Sequence, residues 1–78
     1  MYNRQLAINV QNILFNEPEY SLVYAIIDYI KDIDYDIEKT KEHIIDLEEK
    51  GEYIPGSIAQ EYYYEQLNYA KKHLLERI

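Results

Sequence analysis

Seventy-eight residues, no cysteine and a net charge of −7 describe one small domain without disulfides or thiolate metal sites. A chain this short buries only about 60% of its unfolded surface, so helix pairing, an oligomer or a bound partner is expected to supplement a thin core. Its apolar runs fall short of the roughly 20 residues of a membrane span, and Met1 to Leu6 lack the basic-then-apolar pattern of a signal peptide; a soluble cytoplasmic protein is therefore expected.

Charge is unevenly spread. Residues 1–16 carry only Arg4, whereas residues 17–65 hold fourteen acids against Lys31, Lys39, Lys41 and Lys50. Residues 66–78 are slightly basic, with Lys71, Lys72 and Arg77 against Glu76. An acidic body repels phosphate backbones and anionic lipid and is steered toward basic surfaces. The few cations give little support to a helix-turn-helix DNA binder.

The first predicted helix covers about 3–15. Asn3 is its cap, Leu6, Val10 and Ile13 (with Ala7 and Leu14) form its apolar side, and Asn9, Asn12 and Asn16 form a neutral polar side. Asn16, Pro18 and Glu19 then carry start signals for a long helix over 17–50. Val23, Ile26, Ile30, Ile33, Ile37, Thr40, Ile44 and Leu47 recur at steps of three and four, the seam of one amphipathic rod about 50 Å long. Its first third, Tyr20 to Ile30, is apolar on most sides and calls for burial from several directions. The segment Ile30–Glu38 alternates apolar and polar residues at strand period. The seam continues in phase through it, so the segment is read as helix, with Asp34 the place where a kink or break would fall.

Gly51 is expected to stop the long helix, and Glu52 to Gly56 to form a turn. Ser57 and Gln60 have capping-box spacing at the start of a third helix over about 57–77, whose stripe is Ala59, Tyr63, Leu67, Ala70, Leu74 and Ile78. These lengths predict an all-α fold. A long central helix forms an antiparallel hairpin with the third helix, and the short N-terminal helix closes one end, giving a three-helix, coiled-coil-like domain.

Catalytic parts are sparse. Asp32, Asp34 and Asp36 match the first ligand positions of a calcium loop, but Ile37 stands where the glycine is needed and His43 where the bidentate glutamate belongs. His43 and His73 lack metal-ligand spacing, and each has an acid three residues on, which reads as an ordinary helix-surface pair. Ser21, Ser57 and Thr40 have no histidine nearby in sequence, and Gly51 and Gly56 do not form a phosphate-cradling loop. No catalytic, cofactor or metal residue is assigned, and the chain is read as a non-enzyme.

The acids form the main functional signal. Asp28, Asp32 and Asp36 are successive four-residue neighbours, as are Asp34, Glu38, Glu42 and Asp46, which on a continuous helix makes negative ribbons. Ten tyrosines against one phenylalanine supply stiff contact rings. Tyr62, Tyr63 and Tyr64 cannot all face one core, Glu61 and Glu65 bracket them, and Tyr35 lies between Asp34 and Asp36. The expected partner-binding set is Asp28, Asp32, Asp34, Tyr35, Asp36, Glu38, Glu42, Glu61, Tyr64 and Glu65.

In composition the chain resembles small acidic proteins of phages and other mobile elements, among them anti-CRISPR and DNA-mimic proteins; no diagnostic motif accompanies the resemblance. It implies an inhibitor or modulator that docks on the basic surface of a nucleic-acid-binding protein, without touching nucleic acid or membrane itself. The competing expectation is a self-associating coiled-coil adaptor, a homodimer along the long seam with Thr40 helping to set register.

Overall fold

The computed structural model describes residues 1–78 and is all-helical, with no strand. Four α-helices follow in order: α1 (Arg4–Asn16), α2 (Ser21–Asp32), α3 (Ile37–Lys50) and α4 (Ser57–Leu74), with a 3-10 turn at Gly51–Tyr53 between the last two. No helix is long and apolar enough to cross a membrane.

Local chemistry starts α1 as expected: the Asn3 side chain accepts from the Leu6 amide at 2.9 Å. The helix ends on Glu17, whose left-handed backbone (φ 46°) lets its N–H reach Leu14 O. Asn16 therefore belongs to the end of α1 and does not open the next helix, which begins after Tyr20 with no side-chain cap of its own.

The expected long helix over 17–50 is two helices, and the break falls at Asp34. Asp34 and Tyr35 both adopt left-handed backbone (φ 54° and 58°), and Tyr35 N–H closes the end of α2 on Ile30 O at 2.9 Å. Asp36 then opens α3, its carboxylate accepting from Lys39 N–H at 3.1 Å. Aspartate is a mediocre helix-interior residue but tolerates left-handed backbone and caps well, so Asp34 and Asp36 favour the break. Packing favours it too. A straight rod of about 50 Å would extend well beyond α4, the 18-residue helix that covers it, whereas the folded-back molecule is 37 Å in its longest dimension. Folding the rod in two keeps the seam inward: Val23, Ile26, Ile30, Thr40 and Ile44 are buried, and Ile33, Ile37 and Leu47 are half-buried. The seam is thus covered within its own chain.

The hub is α4. It packs against each of the other three helices, which approach one another less closely. Its Leu67, Ala70 and Leu74 join Leu6, Val10 and Ile13 of α1, Val23, Ile26, Ile27 and Ile30 of α2, and Ile44 of α3 in one cluster of eleven buried apolar residues. Ala59 and Ile78, the outer ends of the expected stripe, are exposed.

Polar side chains from neighbouring helices close the helix ends. Gln66 of α4 is buried and accepts from Leu22 N–H at 3.0 Å, which satisfies a first-turn donor of the otherwise uncapped α2. Tyr63 and Tyr64 of α4 donate to the last-turn carbonyls of α3, at Leu47 (2.8 Å) and Glu48 (3.2 Å). Asn9 of α1 donates to Leu74 O and Glu76 O at 2.9 and 2.8 Å, closing α4. Asn9 is only 3% exposed, so it is a core residue of α1 and not part of a polar side. Ser57 and Gln60 do not form a capping box: Gly56 (φ 88°) is the cap residue, and Gln60 donates to Gly51 O at 2.9 Å. Gly51 is not a left-handed stop either (φ −58°). It is small because the Tyr64 ring lies over it; a Cβ there would sit 2.6 Å from Tyr64 Cζ.

Two stability outcomes follow. Gly51→Ala should cost about 1–3 kcal/mol in denaturant unfolding, the usual overpacking penalty, and the loss should disappear in a Tyr64→Ala background. Asn9→Ala should cost about 1–3 kcal/mol in the same measurement, because it strips the buried Leu74 carbonyl and the partly buried Glu76 carbonyl of their donor.

Candidate functional site

The break in the rod rearranges the acids. Asp28 and Asp32 remain neighbours on exposed turns of α2, and Glu38, Glu42 and Asp46 on α3. Asp34 projects from the turn between them. The four-residue relations of Asp32 with Asp36 and of Asp34 with Glu38 therefore lose their helical meaning. In place of continuous ribbons there are separate short acidic groups on separate helices, two residues on α2, three on α3, and Glu61 with Glu65 on α4.

Asp36 has an internal duty. Besides capping α3, its half-buried carboxylate pairs with the Met1 ammonium group, and these two hydrogen bonds, the ammonium first, hold it below the usual carboxylate range. Tyr2 bridges to Asp36 across a short β-bridge, and Asn3 N–H donates to Tyr35 O at 2.9 Å. The segment before α1 thus straps the α2–α3 turn.

Both expected contact tyrosines are also engaged internally. The Tyr35 ring packs on the core and meets Tyr2 edge-on at 5.5 Å, while Tyr64 covers Gly51 and caps α3. Of the three consecutive tyrosines, Tyr62 is the outward one, at 48% exposed. With Ile58, Glu61 and Glu65 it lines an open groove of about 280 Å³. Tyr53 is exposed as well, on the turn before α4. The spacing of Ile58, Glu61, Tyr62 and Glu65 (steps of three, one and three along one helix face) was the signal that could have pointed to Tyr62 in place of Tyr64.

Behind that groove Tyr20 packs against Tyr62 and Tyr69, with ring centroids 6.1 and 5.2 Å away. Desolvation, then the nearby Glu65 carboxylate, raises the Tyr20 phenol above its ordinary value. Desolvation likewise raises the Tyr63 phenol. A second open groove, about 380 Å³, lies on the outer side of α1 between Tyr2, Ala7, Ile8 and Tyr35, with Arg4 at its rim.

Chemistry-bearing side chains do not converge. No three His, Asp or Glu residues are grouped so as to hold a metal ion, and Asp32, Asp34 and Asp36 are not brought together as ligands. His43 stacks on Tyr29 with ring centroids 3.9 Å apart. Burial lowers its pKa below the usual 6.5, with Lys50 acting in the same direction and Asp46 against it. No family model, curated protein or solved structure matches the chain.

The His43 environment has a pH consequence. A histidine with a depressed folded pKa contributes stability above its unfolded value of 6.5 and loses it as pH falls through the folded pKa. The thermal midpoint should therefore drop as pH falls below about 6.5, and His43→Phe should flatten that slope.

Proposed function

We propose that the chain is a non-enzymatic acidic interaction protein that occupies the basic, nucleic-acid-binding surface of another protein. It would act as an inhibitor or modulator of the anti-CRISPR or DNA-mimic kind that its composition resembles. The observation that carries this reading is the lack of internal neutralisation. Of fifteen carboxylates, three (Asp36, Asp46 and Glu48) have a cation within 4 Å, leaving twelve without one. All but Asp36 and Glu48 lie in exposed residues.

An array of this kind raises the local potential and repels nucleic acid, while it attracts lysine- and arginine-lined grooves. Partner contacts fall on the solvent sides of α2, α3 and α4 and on the α2–α3 turn, through Asp28, Asp32, Asp34, Glu38, Glu42, Glu61 and Glu65. Tyr62 is the aromatic residue placed to add apolar contact beside them. Like charges four residues apart cost a helix a few tenths of a kcal/mol per pair, so the acidic pairs are kept against a mild destabilisation.

The test is capture of partners from a host lysate at low salt, followed by competition. A basic nucleic-acid-binding protein should be retained and then released by rising salt or by added DNA or RNA. Retention that resists both would overturn the reading. The quadruple variant Asp28→Asn, Asp32→Asn, Glu38→Gln, Glu42→Gln should weaken that binding at least ~10-fold, mainly through a slower association rate, with unchanged helical circular dichroism. Equal affinity would remove α2 and α3 from the contact.

A further inference from the structure

The outer face of α1 has a character found nowhere else on the molecule. Residues 1–16 carry no carboxylate, in a chain that has fifteen. Arg4, Ile8, Gln11 and Phe15 fall within an arc of about 60° when each helical residue turns 100°. The buried Leu6, Val10 and Ile13 lie on the opposite side. Phe15, the only phenylalanine, stands 87% exposed on this arc, and Ile8 is 43% exposed. A phenylalanine so far out of the core leaves a large apolar surface in water.

The same face holds the groove between Tyr2, Ala7, Ile8 and Tyr35. Knob and groove therefore share one helix face, seven to eight residues apart, or about 10–12 Å along the axis.

We infer that the outer face of α1 is a twofold self-docking surface, on which Phe15 of each copy fills the groove beside Ala7 and Ile8 of the other. In an antiparallel pairing with the axis at Gln11, position 15 meets position 7, and the relation is reciprocal, as an isologous interface requires. Ala7 is small enough to receive the ring, and Tyr2 and Tyr35 offer their rings as walls.

The same register sets Arg4 opposite the partner's Pro18, just past the end of the partner's α1 and one residue from Glu17. No basic residue in its last turn offsets the negative end of that helix. Among the helix faces, this is the one on which charge does not oppose a second copy. Each chain carries −7, and every other helix presents exposed carboxylates that would oppose each other in a symmetric pairing. One helix face is smaller than the roughly 800 Å² per partner of a standard interface, so the association is weak, with a dissociation constant in the ~10–100 µM range. It leaves the acidic sides of α2, α3 and α4 open, and it does not rest on the proposed function.

Light scattering across a dilution series, from about 5 to 500 µM, tests the inference. The molar mass should rise from that of a 9.4 kDa chain toward twice that value. Phe15→Glu should hold it at the monomer throughout, and Phe15→Ala should weaken association at least ~10-fold, both with unchanged helical circular dichroism. Because the chain has no cysteine, Gln11→Cys is a second and independent readout. It should form a disulfide-linked dimer on mild oxidation, while Ser57→Cys, exposed on α4, should not. A monomer at the highest concentration, a Phe15→Glu dimer as strong as the parent, or equal cross-linking at both cysteine positions would overturn the inference.

Discussion

Everything in this small bundle depends on how its helix ends are closed. A helix leaves four amides and four carbonyls without partners in its own backbone, and a thin domain cannot bury them unsatisfied. Here much of the closing is done from a distance. Gln66 reaches the start of α2, Tyr63 and Tyr64 reach the end of α3, and Asn9 reaches the end of α4. Each bond ties one helix to the terminus of another, so register along the bundle is set by directional polar contacts as well as by the eleven-residue apolar cluster. No buried side-chain nitrogen or oxygen is left without a partner. Polar groups inside a core stabilise specificity when every one is satisfied, and this arrangement meets that condition.

The apolar pattern could be read from the chain. Seven of the eight seam residues from Val23 to Leu47 join or border the core, Ile33 at the end of α2 being the exception, and Leu6, Val10, Ile13, Leu67, Ala70 and Leu74 form the facing surfaces. Period carries that information, because it is a property of neighbours three and four residues apart. What could not be read depends on partners far apart in sequence. The seam stays in phase across Ile33–Asp36 whether the helix runs on or folds back, so its phase could not reveal the turn; strand-like alternation and three aspartates marked the place. Asn9 looks like its exposed companions Asn12 and Asn16 until Leu74 and Glu76 are brought beside it, 65 and 67 residues later. Tyr62 and Tyr64 stand about 200° apart on α4, so they could not both turn inward, but that the Tyr64 ring lies over Gly51 depends on a contact between residues thirteen apart.

The fold-back also divides the surface. A straight rod would have carried its acids in lines; the folded one distributes them as short groups over three helices and draws Asp36 into a structural role. The carboxylate-free α1 is left as a separate territory with its own apolar residues. Steering by charge and docking by shape then belong to different sides of one molecule, and a weakly paired dimer would present two sets of acidic groups to a large basic target.

The position of α4 as hub has a consequence for how the chain comes to be. It follows the other three in the chain, and those three have few close approaches among themselves. Asn9, near the beginning, finds its acceptors only when Leu74 and Glu76 have been added. The first three helices therefore have little to condense upon until α4 is in place, and the apolar cluster closes only around it.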